Sequence, residues 1–277
     1  MASITDWLVA SFCFVDDFLK NHPSIACWRT SAHSQPKFTD AEVITIGLIQ
    51  GCVGVDTLKK AYALVAYSFR EWFPRLCSYA QWIARLHALS PIVGRLIQAA
   101  VMHLRLPGRI YMADSKPIPL CKPIRHGRVR LMREDGAWFG KNRYGWFFGY
   151  KLHMLIHATG AILVGILTPA NWHDQDAAVA LGASVQGGTL LVDTAYGGPD
   201  VRSALVEEVQ LFVVTPADAG EKRALVSSVR ERVETTFGQL WNRFIDRVFS
   251  RSWDGLWNTI KLKMLHCNLC HAGTLPK

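Results

Sequence analysis

Three acids stand where carboxylates can share work. Asp114 follows the short apolar run Arg109 to Ala113, Asp193 follows the buried-type run Thr189 to Val192, and Glu234 lies beside an apolar helical stripe. Strand ends on one side of a sheet converge at its crevice, so Asp114 and Asp193 are expected to meet there, with Glu234 facing them from a helix. Two unit charges about 4 Å apart repel by roughly 4 kcal/mol at an effective dielectric of about 20. Clustered carboxylates therefore protonate, splay or take up a cation, and oxygen-only donors select Mg²⁺ or Mn²⁺. Two such ions about 3.5 to 4 Å apart suit in-line phosphodiester chemistry. Each acid alone also reads as an ordinary turn cap; only their joint placement points to a metal site.

A second group of residues suits a polyanion. From Lys116 to Lys151 nine Lys or Arg (116, 122, 125, 128, 130, 133, 141, 143, 151) face two acids, Glu134 and Asp135, so nine minus two places +7 of the chain's +9 in one stretch. Trp138, Tyr144 and Trp146 are interleaved with it. Such a stretch neutralises phosphates while its aromatics stack on unpaired bases. Lys116, Arg125, Arg128, Arg130, Lys141, Arg143 and Lys151 are accordingly expected to touch DNA, a solvated loop being the plainer alternative.

Positioning these residues requires a sheet. Three strands are expected first, over Arg109 to Ala113, Trp146 to Ala158 and Ala161 to Pro169. A helix from Asp174 to Val185 follows, with Asp174 as its cap, then a strand over Thr189 to Val192. Next come a helix over Pro199 to Val209, a strand over Leu211 to Thr215 and a long helix from Glu221 to Phe244. The last carries Val226, Val229, Val233, Phe237, Leu240 and Phe244 at steps of three and four. This is the element order of a ribonuclease-H-like α/β domain, a mixed sheet flanked by helices. Tyr196, Gly197 and Gly198 are expected to bend the chain sharply after Asp193.

Residues 1–105 read as an all-α domain, with Thr39 and Glu42 forming a capping box and Arg70, Arg75 and Arg85 among aromatics and leucines. A bundle and a helix-turn-helix reader both satisfy that pattern. Leu106, Pro107 and Gly108 make a linker to the α/β domain, 106–277. The chain's 277 residues and 50% hydrophobic content exclude wholesale disorder, and seven irregularly spaced Cys argue against a disulfide scaffold. Cys267, Cys270 and His271 belong to a helix-like stretch from Trp253, a structural helix and not a zinc or haem site. Met1 to Ala10 lacks the basic start of a signal peptide. The uncharged segment between Lys151 and Asp174 is long enough to span a bilayer but is broken at Thr159 and Gly160, so two strands are expected and no membrane.

The segments Asp114 to Cys121, Gly145 to His153, Thr168 to Asp174, Asp193 to Tyr196 and Arg230 to Phe237, with Phe38 to Ile46 near the start, resemble the DDE transposases of bacterial insertion sequences. Within the IS-four-like class the similarity is to insertion-sequence family nine-eighty-two. The resemblance implies that Asp114, Asp193 and Glu234 are both catalytic and metal-binding, holding two Mg²⁺ ions, or Mn²⁺. It implies a transposase that binds terminal inverted repeats and then cuts and joins double-stranded DNA, at transposon ends and target. It also implies a homodimer on the DNA and a cytoplasmic, nucleoid-associated bacterial protein. Arg230 lies four residues before Glu234 on one helix face and resembles the arginine of the class's tyrosine–arginine–glutamate–lysine signature, at the DNA. The chain departs from that signature at Ser227 and Trp241, with Arg243 and Arg247 as substitute cations. A metal-dependent nuclease on the same fold, and an inactive DNA-binding relative, are the alternatives.

Overall fold

Side-chain caps start the N-terminal helices. The computed structural model describes residues 3–26, 36–142, 144–218, 220, 223–240 and 249–275. Its first helices are α1 (Ile4–Asn21), α2 (Pro23–Ala26), α3 (Asp40–Val53), α4 (Leu58–Ser68), α5 (Tyr79–Ala88) and α6 (Ser90–Met102). Ser3 with Asp6, Thr39 with Glu42 and Ser78 with Gln81 form capping boxes on α1, α3 and α5. Helix α3 has no polar face from Val43 to Ile49, and an all-apolar helix must be covered on every side. It is buried along that length and packs against α1, α4 and α5. The Trp82 indole donates to the Val43 carbonyl at 3.1 Å, and Arg85 pairs with Asp40 at 2.7 Å.

The second unit, residues 105–241 and 250–253, is built on one six-stranded sheet. Its elements are β1 (Ile110–Pro119), β2 (Trp138–Asn142), β3 (Gly145–His157), β4 (Ile162–Pro169), α7 (Asp174–Gly182), β5 (Gly188–Val192), α8 (Pro199–Val209), β6 (Leu211–Val214) and α9 (Arg223–Leu240). The sheet order is β2-β3-β1-β5-β6, and β4 joins the same edge of β3 as β2. Strand β3 is antiparallel to β1, β2 and β4, whereas β1, β5 and β6 run parallel. Buried Ala113, Met154, Leu155, Ile156, Leu190 and Leu191 form its centre. This is the ribonuclease-H-like arrangement of a mixed sheet flanked by helices. The segment Lys151 to Asp174 is strand and turn, and among the described residues no single helix is long and apolar enough to cross a membrane.

Several sequence expectations are corrected. β1 does not stop at Asp114 but continues to Pro119, because β3 still supplies hydrogen bonds after β5 has ended. The basic stretch contains a strand, β2, and its turns are tied down by the buried Tyr150, whose hydroxyl donates to the Met132 and Asp135 carbonyls. Where β2 and β1 flank β3, Gly149 has φ +153°, and a Cβ there would lie 2.1 Å from the Ile118 oxygen. The cap of α7 is His173; Asp174 is its first residue. Gly197 and Gly198 have negative φ, so no sharp bend requires them; a Cβ would instead strike Thr215 at 2.5 Å and Gln175 at 2.8 Å.

The last helix, α10 (Trp253–His271), begins in the second unit, but from Asp254 onward it belongs to the first. The expected division at residue 105 therefore misassigns the C-terminus. Asn258 Nδ2 donates to the Leu86 carbonyl at 2.8 Å, and Lys261 Nζ to the Ser90 carbonyl at 2.7 Å. Buried Leu262 meets α3 at Gly47, where a Cβ would come within 3.0 Å of it. Cys267 and Cys270 lie on this helix, and Cys270 Sγ is 3.5 Å from His266 Nε2.

Candidate active site

The parting of two parallel strands brings the first two acids together. Ala113 of β1 pairs with Val192 of β5, so the next residues, Asp114 and Asp193, sit side by side where β5 ends. Each carboxylate accepts a hydrogen bond from the following amide: Asp114 from Ser115 at 2.7 Å, Asp193 from Thr194 at 2.9 Å. Burial pushes the Asp114 carboxyl above its usual range, and the Asp193 charge pushes it the same way. The Ser115 amide, Lys116 and Arg230 oppose that rise.

Helix α9 supplies one cation, Arg230, and β1 another, Lys116. The stripe of α9, Val226, Val229, Val233, Phe237 and Leu240, is buried, and the helix packs on β1. Arg230 comes close enough for its charge to lower the Asp114 pKa, and Lys116 Nζ lies 5.8 Å from the Phe237 ring centre. Glu234 is exposed one turn beyond Arg230. Among the described residues no group of three His, Cys, Asp or Glu is arranged to hold a metal. The structure thus sets Asp114 beside Asp193 and brings Arg230 near Asp114, while Glu234 forms no three-ligand metal group with them among the described residues. The donors present are oxygen-only and adjacent, and one is held at an energetic cost, which suits a hard divalent cation. Trp241, Arg243, Arg247 and Phe244 lie outside the described residues.

The basic residues divide into two groups. Lys122, Arg125, Arg128 and Arg130 are exposed on and beside a short 3₁₀ turn, Pro123–Arg128. Lys141 is exposed on β2, with Nζ 6.0 Å from the Trp146 ring centre, and Arg133 lies 5.4 Å from that of Trp138. Trp138, Tyr144 and Trp146 are all exposed. Trp146, Lys141 and Trp172 also line an open cavity of about 430 Å³. Lys151 Nζ donates to Asp174 Oδ1 at 3.0 Å and to the Trp172 carbonyl at 2.8 Å, which leaves one of its three N–H donors, and it lines the same cavity. Arg143 lies outside the described residues.

One pairing near the acids was not foreseen from the sequence. Tyr196 and His153 are buried and joined by a 2.9 Å hydrogen bond. The signal was present in a polar His flanked by the apolar Leu152, Met154 and Leu155, which needs a buried partner.

The fold is a ribonuclease-H-like sheet with paired carboxylates at the β1–β5 fork; fold alone does not assign a reaction. Residues 106–245 match the family model described as Transposase DDE domain. That match covers just over half of the chain, which belongs to this family and is a DDE transposase. Among curated proteins none matches the chain. Solved structures similar to it include a Mos1 transposase paired-end complex with left transposon end, at 11% identity and TM-score 0.24, covering 90% of this chain and 82% of that one. Another is the Mos1 mariner paired end complex with Mn, at 14% identity and TM-score 0.26, covering 95% and 87%.

Proposed function

We propose that this protein is an insertion-sequence transposase that binds the terminal inverted repeats of its element and performs metal-dependent cleavage and strand transfer. The observation that carries this is the β1–β5 register, which sets Asp114 beside Asp193 with the Asp114 carboxyl pushed up by burial and by its neighbour's charge. Asp114 and Asp193 would hold Mg²⁺, two ions in the full site, with Mn²⁺ as a substitute. When bound, the ions supply Lewis acidity toward a phosphodiester and lower the pKa of an attacking oxygen. Glu234 is proposed as the third carboxylate from its place on α9, one turn from Arg230. Arg230 and Lys116 sit where they can neutralise a phosphate at the acid pair. Arg125, Arg128, Arg130, Lys141 and Arg143 would follow the backbone away from the site, and the exposed tryptophans would stack on unpaired bases.

No Ser or Tyr nucleophile is needed: water opens the strand, and the freed 3′-hydroxyl attacks target DNA by the same in-line geometry. Residues 1–105 form the proposed end-binding region. Two ends must be paired, so two protomers act together, in the cytoplasm at the nucleoid. The departures from the class signature at Ser227 and Trp241 favour one other reading, a DNA-binding relative without strand transfer. Incubating the purified protein with end-containing DNA and Mg²⁺, alongside Asp193→Ala, separates the two. The expected result is cleavage and joining by the natural protein only, with both proteins retaining DNA binding. Equal activity in both proteins would refute the carboxylate assignment, and activity in neither would support the inactive relative.

A further inference from the structure

Behind the acid pair a line of hydrogen bonds crosses the sheet. Ser115 follows Asp114 and, by strand alternation, faces the opposite side, where it pairs in register with His153. His153 is fully buried and uses both ring nitrogens: Nδ1 lies 2.9 Å from the Tyr196 hydroxyl and Nε2 2.9 Å from Thr168 Oγ1. Tyr196, also buried, closes the 3₁₀ turn Thr194–Tyr196, whose cap is Asp193. The Ser115 side chain lies beside the same phenol and opposes the rise that burial imposes on its pKa.

The directions of these bonds follow from donor arithmetic. Thr168 Oγ1 donates to the Pro169 carbonyl at 3.3 Å, so its oxygen accepts from His153 Nε2–H. A neutral imidazole has a single N–H. His153 Nδ1 is then an acceptor, Tyr196 donates to it, and the Tyr196 oxygen is left to accept from the neighbouring Ser115. Each donor in the line Ser115 to Tyr196 to His153 to Thr168 is used once.

We propose that Tyr196 is a positioning residue that sets Asp193 against Asp114, clamped between Ser115 of β1 and His153 of β3. This rests on Asp114 and Asp193 being the metal pair. Asp193 Oδ1 bonds to the Thr194 amide within its own turn, which fixes the carboxylate's local shape but not its place beside β1. The β1–β5 register brings Asp193 level with Asp114, and Tyr196 holds the turn that follows in that place, because its hydroxyl bonds to His153 of β3, beside β1. The next tie downstream is Arg202 Nε on the Gly197 carbonyl at 3.0 Å. Partners of this kind that orient metal ligands typically contribute about 10- to 100-fold in metal affinity.

The test is Tyr196→Phe, which keeps the ring and its packing and removes one hydroxyl. Mn²⁺ binding is measured by electron paramagnetic resonance on the full-length protein and on Asp193→Ala. Imidazole ¹⁵N shifts report the His153 tautomer, and thermal unfolding reports the fold. The expected results are a folded variant, Mn²⁺ affinity lowered roughly 10-fold, and a protonated Nε2 with unprotonated Nδ1 in the natural protein. The Mg²⁺ needed for half-maximal end cleavage should rise in step, with the rate at saturating metal largely retained. Unchanged Mn²⁺ affinity in Tyr196→Phe, or an Nδ1–H tautomer, overturns the clamp while leaving the metal pair intact. Absence of Mn²⁺ binding in the natural protein, or full binding by Asp193→Ala, overturns the metal pair and the clamp with it. If Tyr196→Phe does not fold, Ser115→Ala removes the other side of the clamp and must show the same direction of change.

Discussion

Replacing His153 by Gln makes the stability of the sheet less sensitive to acid. His153 is fully buried between Tyr196 and Thr168 on an apolar strand. Burial lowers its pKa from 6.5 to about 4, against the opposing pull of Asp174, whose Oδ1 is 3.9 Å from Nδ1. Between those values the unfolded chain takes up a proton that the folded protein refuses. Stability is therefore intact above pH 6.5 and falls as pH drops toward 4. At 1.36 kcal/mol per pH unit, the full gap corresponds to about 3 kcal/mol, of which roughly 2.4 kcal/mol is lost between pH 7 and pH 4.5. Gln keeps an N–H for Thr168 and a carbonyl for Tyr196 but does not titrate. The assay is urea unfolding of both proteins at pH 7 and pH 4.5, so that carboxylates common to both cancel. The natural protein should lose about 2 kcal/mol more than His153→Gln over that interval. Parallel losses, within about 0.5 kcal/mol, would show that the imidazole is not held neutral by the fold.

Three further outcomes follow from other parts of the molecule. Asn258→Ala removes the donor that satisfies the Leu86 carbonyl near the end of α5. It should cost about 1 to 3 kcal/mol in thermal or chemical unfolding, and an unchanged midpoint would mean that α10 does not complete the helical unit. Gly149→Ala places a Cβ 2.1 Å from the Ile118 oxygen at φ +153°. A loss on the order of 3 kcal/mol or more, or failure to fold, is expected, and a normal unfolding curve would contradict the β1–β3 register. Neutralising Arg125, Arg128 and Arg130 together should reduce the slope of log affinity against log salt by about 2.7, measured on duplex DNA by anisotropy titration. An unchanged slope would place the DNA elsewhere.

Local pattern made much of this protein legible. Period-two and period-3.6 hydrophobicity located the strands around Asp114 and Asp193 and the stripe of α9, because one buried face leaves its mark on neighbouring residues. The Thr39–Glu42 cap was equally visible, since its partners are three residues apart. Strand β2 was hidden by its charges: it is a five-residue strand with exposed Trp138 and Lys141 that lies beside β3 alone. The assignment of α10 to the first unit depends on contacts with Leu86 and Ser90, more than 170 residues away in sequence.

The site divides along the same line. Residue type and position within elements, set by short-range preferences, determined that Asp114 and Asp193 come directly after buried apolar runs, that Arg230 shares a helix with Glu234, and that the charge excess gathers between Lys116 and Lys151. Tertiary structure alone decided which side chains meet. The β1–β5 register set the two acids side by side, and the packing of α9 presented Arg230 to Asp114, with Glu234 left exposed. Lys151 paired with Asp174, and buried Tyr196 and His153 found each other across 43 residues. Burial is a property of the assembled sheet, and it is burial that makes a hydrogen bond obligatory and moves a pKa.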